Sequence, residues 1–130
     1  MSEKTKILIV DDDPDTLRLL SKRLRESGYQ TCSAGDGVAC MSAVRNEEPD
    51  LIVLDLGLPA GDGFVTLERL RTNNTFADIP VVVLTARHGA EVRDRALAAG
   101  ASAFFEKTAN KEEFMGTIGQ LTSKRNFVAP

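Results

Sequence analysis

Three tetrads of branched apolar residues constrain this chain more than anything else in it: Ile7-Leu8-Ile9-Val10, Leu51-Ile52-Val53-Leu54 and Val81-Val82-Val83-Leu84. None of them alternates with polar residues. A strand with one wet face alternates, so a run without alternation reads as a strand buried on both faces. Parallel sheets covered by helices provide that environment. Two weaker strand candidates are Gln30 to Ala34 and Ala103 to Glu106.

Helical patterns fill the intervals. Asp13-Pro14 suits an N-cap followed by proline at the first helical position. Leu17, Leu20 and Leu24 then form one apolar face, and Gly28 ends the helix. Val38, Met41 and Val44 mark a second helix closed by Pro49, and Phe64, Leu67 and Leu70 mark a third. Val92, Ala96 and Leu97 mark a fourth ended by Gly100, and Phe114, Ile118 and Leu121 mark a fifth. A strand–helix unit repeated five times predicts an α/β fold with right-handed crossovers and helices on both faces of a parallel sheet. The expected architecture is a single-domain, doubly wound, flavodoxin-like (βα)5 fold with strand order 2-1-3-4-5.

Composition narrows the class. At 130 residues, 42% hydrophobic and 27% charged, the chain has enough apolar material for one core and too much for a disordered polymer. No apolar run exceeds four residues, so neither a transmembrane helix nor a signal-peptide core is expected. A net charge of −3, no Trp and one Tyr argue against a nucleic-acid binder. Cys32 and Cys40 suit neither a disulfide framework nor a zinc site, and are expected as reduced residues of a cytoplasmic protein. Asn73-Asn74-Thr75 has the form of a glycosylation triplet but reads as a polar loop.

In open α/β sheets, ligands bind beyond the carboxyl ends of the strands at the topological switch point, here between strands 1 and 3. Asp11, Asp12 and Asp13 follow the first strand, Asp55 the third, Thr85 the fourth and Lys107 the fifth. If Asp13 caps the first helix, Asp11 and Asp12 face Asp55. At an effective dielectric of about 20, each like-charged pair at ~4 Å costs roughly 4 kcal/mol. Such a cluster needs protons or a cation, and hard oxygen ligands at an open edge suit Mg²⁺. A carboxylate at the rim of a metal site can attack phosphorus and form an aspartyl-phosphate. Lys107 would offer a point charge to the phosphoryl group, and Thr85 a hydroxyl. Taken singly, the acids also suit a helix N-terminus, Lys107 a solvated surface and Thr85 a strand end. Their joint placement on one edge is the specific signal.

Over residues 5 to 123 the chain resembles a response-regulator receiver domain of two-component signalling. The resemblance rests on Ile7 to Pro14, Leu54-Asp55-Leu56-Gly57-Leu58-Pro59 with Gly61-Asp62-Gly63, Leu84-Thr85-Ala86, and Ala99-Gly100-Ala101 leading to Lys107. It implies Asp55 as phosphoacceptor, with Mg²⁺ held by Asp12, Asp55 and the main-chain carbonyl of Gly57, and by Asp11 partly through water. It implies Thr85 as switch hydroxyl, Phe104 as switch aromatic and Lys107 as phosphate-binding lysine. The implied partners are a sensor histidine kinase or a histidine phosphotransfer protein. The surface of the fourth helix, fifth strand and fifth helix would change on phosphorylation and could hold a partner or a second copy. No membrane and no nucleic acid is expected as a partner of this domain. Residues 1–123 would form the receiver domain and 124–130 a tail or the start of a linker.

Two positions depart from the family pattern. Thr108 stands where a proline, often cis, usually follows the lysine, so a trans bond and an altered loop are expected. Gly57 stands where bulkier side chains are common. Three other readings compete. An aspartate-nucleophile phosphohydrolase needs an acid two residues past the nucleophile, where Gly57 stands. A flavodoxin needs a Ser/Thr/Gly-rich phosphate loop, where Asp11-Asp12-Asp13 would repel the phosphate. A degenerate receiver acting only as a scaffold would lack key positions that are present here. Arg18, Lys22 and Arg25 on the first helix and His88 after the fourth strand read as solvated residues. Arg87, two residues past Thr85, borders the expected site and is a candidate for tuning the life of the phosphorylated state.

Overall fold

The computed structural model describes residues 4–58 and 63–126, with only the helix backbone described for 124–126. The elements in order are β1 (Lys6–Val10), α1 (Pro14–Glu26), β2 (Gln30–Ala34), α2 (Gly37–Glu47), β3 (Leu51–Leu54), α3 (Gly63–Thr72), β4 (Val81–Thr85), α4 (Ala90–Ala98), β5 (Ala103–Glu106) and α5 (Lys111–Asn126). The strands form one parallel sheet in the order β2-β1-β3-β4-β5, as expected. Pro59, Gly61 and Asp62 of the motif after β3 lie outside the described residues.

The tetrads show why polar alternation is missing. Leu8, Val10, Ile52, Leu54, Val81 and Val83 pack into one core against α2, α3 and α4. Their sequence neighbours Ile7, Ile9, Leu51, Val53, Val82 and Leu84 pack into a second core against α1 and α5. Successive side chains of a strand point to opposite faces, so two covered faces require apolar residues at every position. At the sheet's edge, β5 is only half-buried, and its Phe105 meets Phe114 of α5 edge to face at 5.6 Å.

Local signals set the helix ends. The Asp13 carboxylate accepts the Asp15 N–H at 3.1 Å and the Thr16 hydroxyl at 2.9 Å, with Pro14 opening α1. Gly28 then turns the chain at φ 97°. Asp36 caps α2 by accepting the Ala39 N–H at 2.7 Å, and Asn110 receives the Glu112 and Glu113 N–H groups at the start of α5.

Two helix faces differ from expectation. Val38 is 77% exposed, because α2 buries Gly37, Cys40 and Val44 instead. Positions 37, 40 and 44 share a stripe one residue away from Val38, about 100° around the helix. Leu97 is likewise 38% exposed, while Ala96 is the buried residue of α4. Cys40 is buried, and desolvation pushes its thiol pKa up to about 12, which keeps it protonated and unreactive. No helix among the described residues is long and apolar enough to cross a membrane.

These faces predict a contrast in stability. Val38→Ser should leave the unfolding free energy within about 0.5 kcal/mol. Leu67→Ala, at a fully buried position of α3, should cost about 2–5 kcal/mol, both read by urea denaturation.

Candidate functional site

Each polar residue of the site is placed by the end of a buried strand. The Asp11 N–H donates to Ala34 O, the Asp55 N–H to Val10 O and the Lys107 N–H to Thr85 O, at 3.1, 3.0 and 2.8 Å. The parallel ladders thus continue one residue past the apolar runs, where the first polar side chains emerge together. Asp11 is 2% and Asp55 6% exposed, whereas Asp12 is exposed. One carboxylate oxygen from each of the three lies within 4.8 Å of the other two.

Lys107 reaches this cluster from β5. Its ammonium lies 2.8 Å from Asp11 Oδ2 and 3.4 Å from Asp55 Oδ2. Burial works against its charge, but the hydrogen bond to Asp11 and the charges of Asp55 and Asp11 outweigh it, so its pKa lies above the ordinary 10.5. The other oxygens are also held. Asp11 Oδ1 accepts the Asp13 N–H at 2.9 Å, and Asp55 Oδ1 accepts the Gly57 N–H at 3.0 Å. Nearby, the Thr16 hydroxyl and then the Asp15 amide hold the Asp13 carboxyl below its ordinary 3.8.

The remaining expected residues surround this centre. Thr85 is fully buried at the end of β4, and its hydroxyl oxygen accepts the Arg87 N–H at 3.2 Å. Phe104 is half-buried beside Val83, on the same face of the sheet as Thr85 and one pleat behind it. Gly57 is exposed, and a Cβ there would sit 3.6 and 3.7 Å from the Asp55 carboxylate oxygens, an ordinary contact. Glycine thus brings no side chain of its own against the Asp55 carboxylate at position 57. None of the described peptide bonds is cis, so Lys107–Thr108 is trans. Arg87, His88, Arg18, Lys22 and Arg25 are all exposed.

The donor set fits a hard divalent cation. Three carboxylates converge on one open edge, with a single neighbouring ammonium and no thiol or imidazole in the group. One close contact was not singled out from the sequence. Gly63, the first residue of α3, rests directly on the backbone of Asp55 and Leu56. Only its place in a Gly-rich motif hinted at this.

Known proteins share this chain's sequence pattern and fold. Residues 7–119 match the response regulator receiver domain family. The chain is 38% identical over 123 residues to the DNA-binding dual master transcriptional regulator RpaA of Synechocystis, covering 95% of this chain and 51% of that protein. It is 35% identical over 124 residues to the transcriptional regulatory protein PrrA of Mycobacterium tuberculosis, covering 95% and 52%. The chain thus spans about half the length of these curated relatives. Among solved structures, the signal receiver domain of a signal transduction histidine kinase from Syntrophus aciditrophicus superposes with a TM-score of 0.87 at 29% identity, covering 96% of this chain and 95% of that one. The BeF3-activated N-terminal receiver domain of Klebsiella pneumoniae RstA gives 0.85 at 26% identity, covering 91% and 98%.

The ion pairs of Lys107 predict a pH signature. Lys107→Met should lower stability by about 1–2 kcal/mol at neutral pH without Mg²⁺, because it leaves two buried carboxylates without their cation. A raised lysine pKa gives stability that is complete below the unfolded value and lost above the folded one. The difference between wild type and variant should therefore hold steady from neutral pH to 10.5 and shrink above it, as measured by urea unfolding. Added Mg²⁺ should narrow the gap at neutral pH.

Proposed function

The chain belongs to the response regulator receiver domain family, and from that premise we propose that it is a phosphorylation-activated switch whose phosphoacceptor is Asp55. The observation that carries this reading is the convergence of Asp11, Asp12, Asp55 and the Lys107 ammonium at the ends of β1, β3 and β5. The donor is a phosphohistidine on a sensor histidine kinase or a histidine phosphotransfer protein. An Asp55 carboxylate oxygen attacks phosphorus, the new O–P bond forms, and the P–N bond to histidine breaks. The histidine nitrogen leaves with a proton from solvent. Water later attacks the phosphorus and frees phosphate, so the domain catalyses only its own modification.

Asp11, Asp12, Asp55 and the Gly57 carbonyl would hold Mg²⁺. The ion would neutralise charge on the transferring phosphoryl oxygens. Lys107 already spans Asp11 and Asp55, so its ammonium is in place to bind a phosphoryl oxygen when the group arrives on Asp55. The buried Thr85 hydroxyl is the second donor. The domain's setting would be the cytoplasm, which agrees with its free cysteines.

Phosphorylation adds about −1.5 to −2 charge at this edge. Movement of Thr85 toward the phosphoryl group would vacate space that Phe104 can fill by turning inward. Both abut the face of α4, β5 and α5, where a groove of ≈ 480 Å³ is lined by Arg93, Phe104, Glu106, Thr108 and Glu113. That face is where a partner or a second copy of this chain would bind. Driving the switch from 1:99 to 99:1 needs about 5.5 kcal/mol of differential binding. Charge-assisted hydrogen bonds contribute about 1.5–3 kcal/mol each, so the shift is partial unless a partner adds to it.

Incubation with acetyl phosphate and Mg²⁺ should add one phosphoryl group by mass spectrometry, and Asp55→Asn should remove the gain. A full gain in that variant sinks the reading. Asp12→Ala should weaken Mg²⁺ binding by about tenfold or more while leaving stability equal or higher, since it relieves acid–acid repulsion. Arg87→Ala should change the dephosphorylation rate, because the Arg87 N–H donates to the Thr85 hydroxyl oxygen and so sets the exposed side chain in the loop beside Thr85. An unchanged rate removes Arg87 from the mechanism.

A further inference from the structure

We infer that Gly63 is a positioning residue for the phosphoacceptor, because only its lack of a side chain lets the first turn of α3 lie against the backbone that carries Asp55. The inference rests on Asp55 and its Mg²⁺ site having the roles given above. A Cβ at position 63 would lie 2.4 Å from Leu56 Cα, 2.5 Å from the Asp55 carbonyl oxygen and 2.9 Å from the Leu56 carbonyl carbon. All three are backbone atoms, which cannot swing aside as the end of a side chain can. Gly63 is not among the residues with positive φ, so glycine is needed here for space and not for its torsion. Its N–H donates to Leu56 O at 3.2 Å, which fixes the approach.

Both sides of this contact are anchored in the same core. Behind Gly63, α3 is anchored by Phe64, Leu67 and Leu70, all buried in the core. The Arg95 guanidinium of α4 adds a clamp, 3.7 Å above the Phe64 ring centroid. In front, Asp55 is the last residue on the ladder of β3, and residues 56–57 lie beyond it. This segment is held by the Asp55 N–H bond to Val10 O, the Gly57 N–H bond to the Asp55 carboxylate and the burial of Leu56 in the same core. A side chain at 63 must therefore widen the gap between two anchored segments, and the shift reaches the acceptor segment as well as the helix. That segment carries both the Asp55 carboxylate and the Gly57 carbonyl, while Asp11, Asp12 and Lys107 stay with β1 and β5. The expected consequence is loss of convergence at the ion site, beyond any general loss of stability.

Gly63→Ala is compared with Gly100→Ala and wild type. Gly100 lies in the turn before β5, at the opposite edge of the sheet, with φ 107° and the flexible Arg71 stem 2.5 Å from a Cβ. Its substitution destabilises the fold without touching the site. Mg²⁺ affinity is read by amide NMR titration, stability by urea unfolding, and phosphorylation by acetyl phosphate at saturating Mg²⁺. Gly63→Ala should weaken Mg²⁺ binding by about tenfold or more, as loss of a supporting contact at a metal site does. Gly100→Ala should change it by less than about twofold, being remote from the site. Unchanged Mg²⁺ affinity in Gly63→Ala, or equal losses in both variants, overturns the inference. Should Gly63→Ala fail to fold, Phe64→Leu decides: it keeps Gly63 but loosens the anchor of its turn. Mg²⁺ affinity lowered by about threefold or more in that folded variant supports the positioning role, and unchanged affinity overturns it. Wild type that binds no Mg²⁺ defeats the reading of Asp55 and this inference together. Wild-type binding with unaffected variants defeats the inference alone.

Discussion

Three carboxylates brought within 4.8 Å of one another, two of them nearly buried, are stable only beside positive charge. The Lys107 ammonium, in contact with both Asp11 and Asp55, meets part of that need. Its charge is one against three, so the edge stays electronegative and open to a divalent cation. Lys107 thereby links side chains at the ends of β1, β3 and β5.

The parallel sheet makes this crowding achievable. A parallel arrangement puts all the carboxyl ends on one edge, and burial on both faces leaves that edge as the first place where polar side chains can emerge. Backbone bonds from Asp11, Asp55 and Lys107 to neighbouring strands then fix where each side chain starts. The cost of assembling like charges is borne by two hydrophobic cores that share the sheet between them.

The opposite walls of the site are built differently. At Gly57 a Cβ would make ordinary contact with the Asp55 carboxylate. At Gly63 there is no space for a side chain, since α3 sits on the backbone of Asp55 and Leu56. Position 57 would accept a Cβ and position 63 would not. The Phe64–Arg95 stack ties the closed side to α4, part of the face that also includes β5 and α5.

Much of this was legible in the chain because strongly local rules govern it. Unbroken branched tetrads announced doubly buried strands, Asp13-Pro14 opened α1, and Gly28 and Gly100 turned the chain at positive φ. The sheet order and the shared edge of Asp11, Asp12, Asp55, Thr85 and Lys107 followed from the strand–helix repeat and the family resemblance. Tertiary structure decided what depends on rotation and distance. Val38 and Leu97 have the right residue type for a core but sit about 100° off the stripes that face the sheet. Lys107 divides itself between Asp11 and Asp55, and Gly63 lies on Leu56, through contacts among residues far apart in the chain or across a loop. Sequence spacing specifies a repeat along one element, whereas the angle at which a helix meets the sheet is set only when all the elements pack together.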